Sequence, residues 1–217
     1  MCGRFVVETP RAELARIFSA VLSPGLPLER QPNWNVTPTS LVDTIYSNSP
    51  QERLLDHFTW GLTPSWATQP IINARHETIL EKPTFKGVFR CVIPADGFYE
   101  FKRADKRSKP VPHYFKSPSG HLLAFAAIYG RDPTNKINQC AIITSAANKD
   151  MVSVHSRMPI ILSEDSLVSW LDSEVPNSVV FEGLAPNPDG TLVSYPVSNK
   201  VNSPANNFPE LVLPAQT

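Results

Sequence analysis

Proline occurs 22 times in these 217 residues, and glycine only 9 times. Each proline fixes φ and removes a backbone donor, so helix interiors and central strands rarely tolerate one. A chain punctuated this often favours many short strands with rigid connections over long helices. With 41% hydrophobic residues, residues 1–217 can bury a core of ordinary size, and no repeat, linker or internal boundary divides them. We therefore expect one domain. No long apolar run and no signal-peptide pattern occurs, which leads to the expectation of a cytoplasmic chain without a membrane segment.

Local patterns place the elements. Thr9-Pro10 followed by Leu14, Ile17, Phe18 and Val21 reads as an N-cap, a proline at the first helical position and an apolar stripe, ended by Ser23-Pro24-Gly25. Residues 33–38 look too irregular for either regular element. Residues 41–46 and 53–60 read as a hairpin, and residues 61–66 as a loop with an aromatic tip. Residues 71–77 lead into a helix ending before Pro83. Strands follow at 88–93, 97–102, 112–116, 122–129, 139–144 and 191–197. Ser163-Glu164-Asp165 caps a helix that carries Leu167, Trp170 and Leu171.

The stretch with the most chemistry is Met1-Cys2-Gly3-Arg4-Phe5. Removal of Met1, expected because the next residue is small, would leave Cys2 with an amine and a thiol on adjacent carbons. These groups titrate near ~8 and ~8.5 when unperturbed, so a useful minority of each is nucleophilic at neutral pH. The amine can condense with an aldehyde and the thiol can close on the same carbon, giving a five-membered thiazolidine. The same pair could instead turn the thiol on an amide, with the amine as base. Gly3 permits close backbone approach, Arg4 supplies a fixed cation, and Phe5-Val6-Val7 looks like a strand that anchors the terminus.

Four further polar groups sit in apolar surroundings. Glu100, within Phe98-Tyr99-Glu100-Phe101, is either a desolvated carboxylate fit for proton transfer or a strand residue turned to water. His155 precedes an apolar strand and could be functional or structural. Asn73 and Arg75 flank Ala74 and share one face if extended, which suits a phosphate, a sugar or a salt bridge to Glu77. Asn35 could simply support a turn. The basic turn 102–109 reads as a solvated hairpin tip or a polyanion contact. Cys91 and Cys140 lie in apolar runs without CxxC spacing and read as reduced core residues. The five histidines lack ligand spacing, so no metal is expected, and neither a phosphate loop nor a GxSxG elbow calls for a cofactor. Net charge is zero, so any nucleic-acid contact must come from local clusters of Arg and Lys.

Taken in order, Cys2-Gly3-Arg4-Phe5, Trp34-Asn35-Val36-Thr37-Pro38, Trp60-Gly61-Leu62-Thr63-Pro64-Ser65-Trp66, Asn73-Ala74-Arg75-His76-Glu77-Thr78, residues 90–100, Thr144-Ser145-Ala146-Ala147-Asn148, His155-Ser156-Arg157-Met158-Pro159 and Pro196-Val197-Ser198 resemble the SRAP family. These are the SOS-response-associated peptidase domain proteins that sense abasic sites in DNA. The chain departs from the family at Phe101, where tryptophan is usual, at His76, where a small residue is common, and at Ser156, where aspartate is common. The resemblance implies an α+β fold, a single compact domain with a branched, barrel-like, mainly antiparallel sheet flanked by short helices. It also implies a groove that bends single-stranded DNA over Cys2, with a thiazolidine forming on the ring-opened abasic sugar. By the same resemblance Glu100, His155 and Asn73 join Cys2 in the chemistry, and Arg4, Asn35, Pro38, Trp66, Arg75, Phe101, Thr144 and Arg157 contact DNA. The protein would then be a monomer whose partner is abasic single-stranded DNA, nucleoid-associated when bound. The alternatives from other classes are an N-terminal-nucleophile amidohydrolase, a thiol peptidase and a noncatalytic single-strand binding module.

Overall fold

The structure, a computed structural model, describes residues 2–105, 108–132, 134 and 136–216. Lys106 and Arg107 of the basic turn, and Met1, lie outside these. Chain order gives β1 (Phe5–Val7), α1 (Arg11–Phe18), β2 (Ala20–Leu22), β3 (Asn33–Val36), β4 (Leu41–Ser49), β5 (Glu52–Trp60) and β6 (Asn73–Arg75). There follow β7 (Phe89–Ala95), β8 (Gly97–Lys102), β9 (Val111–Lys116), β10 (Leu123–Arg131), β11 (Asn138–Ala146) and β12 (Arg157–Pro159). The last elements are α2 (Glu164–Leu171), α3 (Asn177–Glu182) and β13 (Val193–Pro196). Short strands and short helices are what the proline spacing requires.

Two sheets form. In the larger, β11, β10, β7, β4 and β5 are neighbours in turn, and parallel pairing of Gln139 with Thr59 and Cys140 with Trp60 joins β11 back to β5. The ring is uneven and branched: β2 extends β5, while β6 and β12 both add to β11. The smaller sheet has the order β13-β9-β8-β1-β3 and is antiparallel throughout.

Alternation along each strand sorts side chains between two faces. Cys91, Ile93, Phe125, Ala127, Cys140 and Ile142 point into the ring, where they meet Phe5, Phe98 and Phe115 from the smaller sheet. Phe5 sets its edge against Trp60, with ring centroids 5.0 Å apart, a geometry worth roughly 0.5–1.5 kcal/mol beyond the buried area. On the outer face Ile45, Leu55, Val92, Ala126 and Ile143 are covered by Leu14 and Phe18 of α1, Trp170 of α2 and Phe181 of α3. A third cluster, Val6, Tyr99, Tyr114, Val201 and Leu211, lies between the smaller sheet and the segment after β13.

An ion cluster ties α1 and the proline-rich loop to β4. Asp43, almost fully buried, meets Arg11 Nε at 2.8 Å and Arg30 Nε at 2.7 Å. Arg11 also donates to the Pro27 carbonyl at 2.6 Å, and Arg30 donates to the carbonyls of Val7 and Thr9 at 2.7 and 2.5 Å. The strand that carries the N-terminal segment is thereby fixed at its far end.

Several local expectations are corrected. Residues 33–36 are a strand, because pairing of Phe5 with Val36 and Val7 with Asn33 supplies order that their polar composition does not suggest. Residues after Arg75 form only short 3-10 turns at His76–Thr78 and Pro83–Phe85, since Asn73–Arg75 are drawn out as a strand on β11. Thr9 does not cap α1: Pro10 holds that position, and the Thr9 hydroxyl donates to Asp96 at 2.5 Å. Ser19, with φ of 50°, ends the helix and frees Val21 for β2. Ser163 does cap α2, accepting from the Ser166 amide at 3.3 Å. The short α3 was not expected, as six residues after a proline carry little helical periodicity.

Candidate active site

Cys2 is fully buried against the cluster that fills the ring. Its carbonyl accepts from Asn73 Nδ2 at 2.9 Å, which links the segment before β1 to β6. The other end of that amide, Asn73 Oδ1, is buried with no hydrogen-bond partner among the described residues. A buried carbonyl oxygen left so costs free energy, and such a cost persists where a ligand can supply the missing donor.

Glu100 reaches the same place from β8. Phe5 pairs with Phe98 and Val6 with Gly97, and the Tyr99 amide donates to the Arg4 carbonyl at 2.9 Å, so the antiparallel register sets Glu100 beside the residues just before Phe5. Alternation turns Phe98 and Glu100 toward the ring and Tyr99 and Phe101 away from it. Glu100 is only 5% exposed, which decides between the two readings of the sequence: the carboxylate is enclosed. Burial pushes the Cys2 thiol well above its ordinary range, and the charge of Glu100 adds to this. At neutral pH the sulfur is therefore protonated and needs a base before it can attack.

A second group of polar residues lies where β6, β11 and β12 end together. Thr144 pairs with Arg75 on one side and Ala146 with Arg157 on the other, so the two arginines flank β11, roughly 10 Å apart along the sheet. Arg157 makes a two-pronged ion pair with Glu77, at 2.5 and 2.9 Å, and also donates to the Thr144 carbonyl at 2.6 Å. That pair holds the Glu77 carboxyl down, at about 2. The salt bridge weighed for Arg75 thus belongs to Arg157; Arg75 is exposed and makes no hydrogen bond or ion pair among the described residues. His155 Nδ1 lies 3.0 Å from the Arg157 amide nitrogen and 3.3 Å from the Arg157 carbonyl oxygen, so the ring is held against the start of β12. His155 follows the turn that begins at Met151, a residue buried in the same cluster as Cys2.

The remaining residues read as DNA contacts occupy other places. Arg4 is clasped: Nη1 donates to Asn35 Oδ1 at 2.7 Å and to the Val201 carbonyl at 2.8 Å. Asn35 is buried and donates to the carbonyls of Ser203 and Asn206 at 3.0 and 2.7 Å. Both tie the segments at β1 and β3 to the residues after β13. Pro38 is half-buried beside Thr39, whose φ of 70° is unusual for a β-branched residue and is held by the hydrogen bond its amide donates to the Trp60 carbonyl at 2.8 Å. Phe101 packs on the third cluster, on the face of β8 opposite Glu100. Trp66 is 66% exposed on the rim of a cavity of about 750 Å³, lined also by Pro64, Lys86, Arg131 and Gln139. Gln139 and Thr144 are five residues apart on β11, roughly 16 Å, so that cavity and the Arg157 cluster lie toward opposite ends of the strand.

Sequence reasoning missed how closely Glu77 is involved, although an acidic residue two positions after Arg75 was visible. It also missed Tyr99, whose hydroxyl donates to the Trp34 carbonyl at 2.9 Å and holds β3, the strand that carries Asn35. Among the described residues no group of three or more histidine, cysteine or acidic side chains could hold a metal. No described helix is long and apolar enough to cross a membrane.

Comparison with known proteins gives the context. The chain is 37% identical over 98% of its length to the abasic site processing protein YoqW of Bacillus subtilis, covering 99% of that protein. It is 29% identical over 99% of its length to the abasic site processing protein YedK of Escherichia coli, covering all of it. It is 32% identical to the abasic site processing protein HMCES of Xenopus tropicalis, over 83% of this chain and 65% of that one. Among solved structures, a protein from Bacteroides thetaiotaomicron shares the fold with a TM-score of 0.82 at 22% identity, covering 99% of this chain and 100% of that one. A phage-related protein from Bordetella bronchiseptica superposes with a TM-score of 0.75 at 29% identity, covering 90% and 94%. The family model for SOS response associated peptidase matches residues 1–204, and the chain belongs to that family, SRAP.

Proposed function

We propose that this chain captures abasic sites in single-stranded DNA by forming a thiazolidine between Cys2 and the open-chain sugar aldehyde. The observation that carries this reading is the convergence on Cys2 of Asn73, bonded to its carbonyl at 2.9 Å, and the enclosed Glu100, whose charge acts on its thiol. The names of the relatives, abasic site processing proteins, supply the class of substrate.

The chemistry begins once Met1 is removed, because until then the Cys2 nitrogen is an amide. The freed amine adds to C1′ of the ring-opened sugar and water leaves, giving an imine. The thiol then adds to the same carbon, its proton passes to Glu100 and on to the ring nitrogen, and one water is released overall. A protonated sulfur in a buried site makes a nearby carboxylate base the natural partner for that step. Asn73 Oδ1, buried without a partner among the described residues, would accept from the adduct, and the His155 ring would donate to the sugar. Arg75 offers a cation to the strand. Splayed bases and a bent backbone come more cheaply from a single strand than from a duplex.

The test is incubation of the mature chain with an abasic oligonucleotide, followed by a denaturing gel. A retarded band is expected, and it should vanish with Cys2→Ser, since the oxazolidine from serine is far less stable. Glu100→Gln should slow band formation without weakening binding of the intact strand. Absence of the band, or its survival in Cys2→Ser, overturns the reading. Release of ammonia from glutamine would instead support an amidohydrolase, and equal binding of damaged and intact strands by Cys2→Ala without any covalent band would support a binding module.

A further inference from the structure

Arg157 and Glu77 carry an inference about how this chain grips a strand, and it rests on the reading of single-stranded DNA as the ligand. We propose that the Glu77 carboxylate is a built-in stand-in for a strand phosphate, occupying the guanidinium fork of Arg157 until a phosphate displaces it, and so setting the affinity for undamaged single strands. The geometry is that of phosphate recognition. Two parallel N–H bonds, at 2.5 and 2.9 Å, join the guanidinium to the two carboxylate oxygens, the arrangement that arginine also offers to phosphate. The Arg157 side chain is only 14% exposed, whereas that of Glu77 is 47% exposed. The anion therefore lies on the solvent side of the cation, where an arriving phosphate would have to sit.

The two partners differ in how they are held. Arg157 belongs to β12, and its second bond, to the Thr144 carbonyl at 2.6 Å, does not depend on Glu77. Glu77 sits in the 3-10 turn directly after β6, and its carboxylate is held by Arg157 and by its own backbone amide, with no other element fastening it among the described residues. Exchange thus needs movement of one exposed side chain and leaves the cation in place. Arg75, two residues earlier and exposed, has no such internal anion among the described residues and meets a strand directly.

The exchange has a signature in salt dependence. A phosphate neutralised by a free arginine releases condensed counterion, contributing a slope of about −0.7 per contact for a single strand. When Arg157 trades Glu77 for a phosphate, the freed carboxylate stays beside the strand, so the pair brings no net positive charge to it and the net contribution is close to zero. Removing the carboxylate turns Arg157 into an ordinary contact.

The test uses the full chain and an undamaged oligothymidylate, with fluorescence anisotropy between 50 and 200 mM salt. Glu77→Gln should bind about fivefold more tightly at the lower salt, the scale expected from an exposed ion pair, and its log–log slope should steepen by about 0.7. Arg157→Gln should leave the slope of the parent chain unchanged, and adding it to Glu77→Gln should abolish the gain. Weaker or equal binding by Glu77→Gln, or a gain that survives in the double variant, overturns the proposal. Should Glu77→Gln not fold, the Arg157→Gln slope decides alone: a slope shallower by about 0.7 means that Arg157 was already an uncompensated contact, and the proposal fails. Failure of the parent chain to bind any single strand would instead remove the functional reading and this inference with it.

Discussion

Asp43 is, among the described residues, the acidic group that meets both Arg11 and Arg30 in the cluster that fixes the far end of β1, and replacing it by asparagine tests how much that cluster holds. The substitution keeps the shape and removes the charge. Both arginines remain, with side chains 10% and 16% exposed, and neither can turn to water without losing its bonds to the carbonyls of Pro27, Val7 and Thr9. The asparagine oxygen can still accept from one Nε, but its NH2 group then faces the other donor. Breaking one member of a buried ion cluster in this way costs about 3–5 kcal/mol, a large part of the 5–15 kcal/mol that typically holds a domain. For a chain of this length each kcal/mol moves the melting temperature by roughly 2–4 °C, so Asp43→Asn should melt about 10 °C lower. Its urea midpoint should fall with the slope unchanged. Exchanging all three residues for apolar ones of similar volume should cost much less, because no charge is then stranded. A midpoint for Asp43→Asn within about 1 kcal/mol of the parent would refute this account of the cluster.

Three further outcomes are expected. A Cβ on Gly97 would lie 2.3 Å from the Tyr114 hydroxyl and 2.6 Å from the Phe115 carbonyl, so Gly97→Ala should destabilise by about 1–3 kcal/mol or more; Tyr114→Phe should not rescue it, since the backbone clash persists, and urea midpoints check both. The Glu77 carboxyl is held at about 2, below its ordinary 4.5, so its stabilising contribution is present above the ordinary value and is lost as pH falls from about 5 toward 2. Solvent screening keeps that contribution to about 1 kcal/mol, and comparing urea midpoints at pH 5 and 2.5 should show a smaller drop for Glu77→Gln than for the parent. Trp66→Ala should leave the melting temperature unchanged, as the ring is exposed, yet weaken single-strand binding by about 1–3 kcal/mol if a base stacks there; unchanged affinity in the anisotropy assay removes Trp66 from the strand path.

What the sequence conveyed depended on whether the information was local. The proline spacing set the scale of the elements, and alternation around Phe98-Tyr99-Glu100-Phe101 gave a strand, yet which face looked inward was undecidable until β1 was laid against β8. Asn73 and Arg75 were rightly placed on one face of an extended segment, because Ala74 between them packs the other way. Asn33–Val36 could not be read as a strand because its order comes from β1, whose Phe5 pairs with Val36 and Val7 with Asn33. The pairing of Glu77 with Arg157 spans 80 positions, and nothing in either segment alone selects one acid among 20. The position of Trp66 relative to Arg157 likewise depends on the course of β11, which no short motif records.

The clasp around Arg4 has a consequence for the order in which the protein is made. The guanidinium next door to Cys2 closes on the Val201 carbonyl, and Asn35 closes on Ser203 and Asn206. Residues translated first therefore wait, without their final seat, until some 200 others have followed. Until residues 201–206 have emerged, a nascent chain carries the Cys2 sulfur without the clasp that closes two residues away.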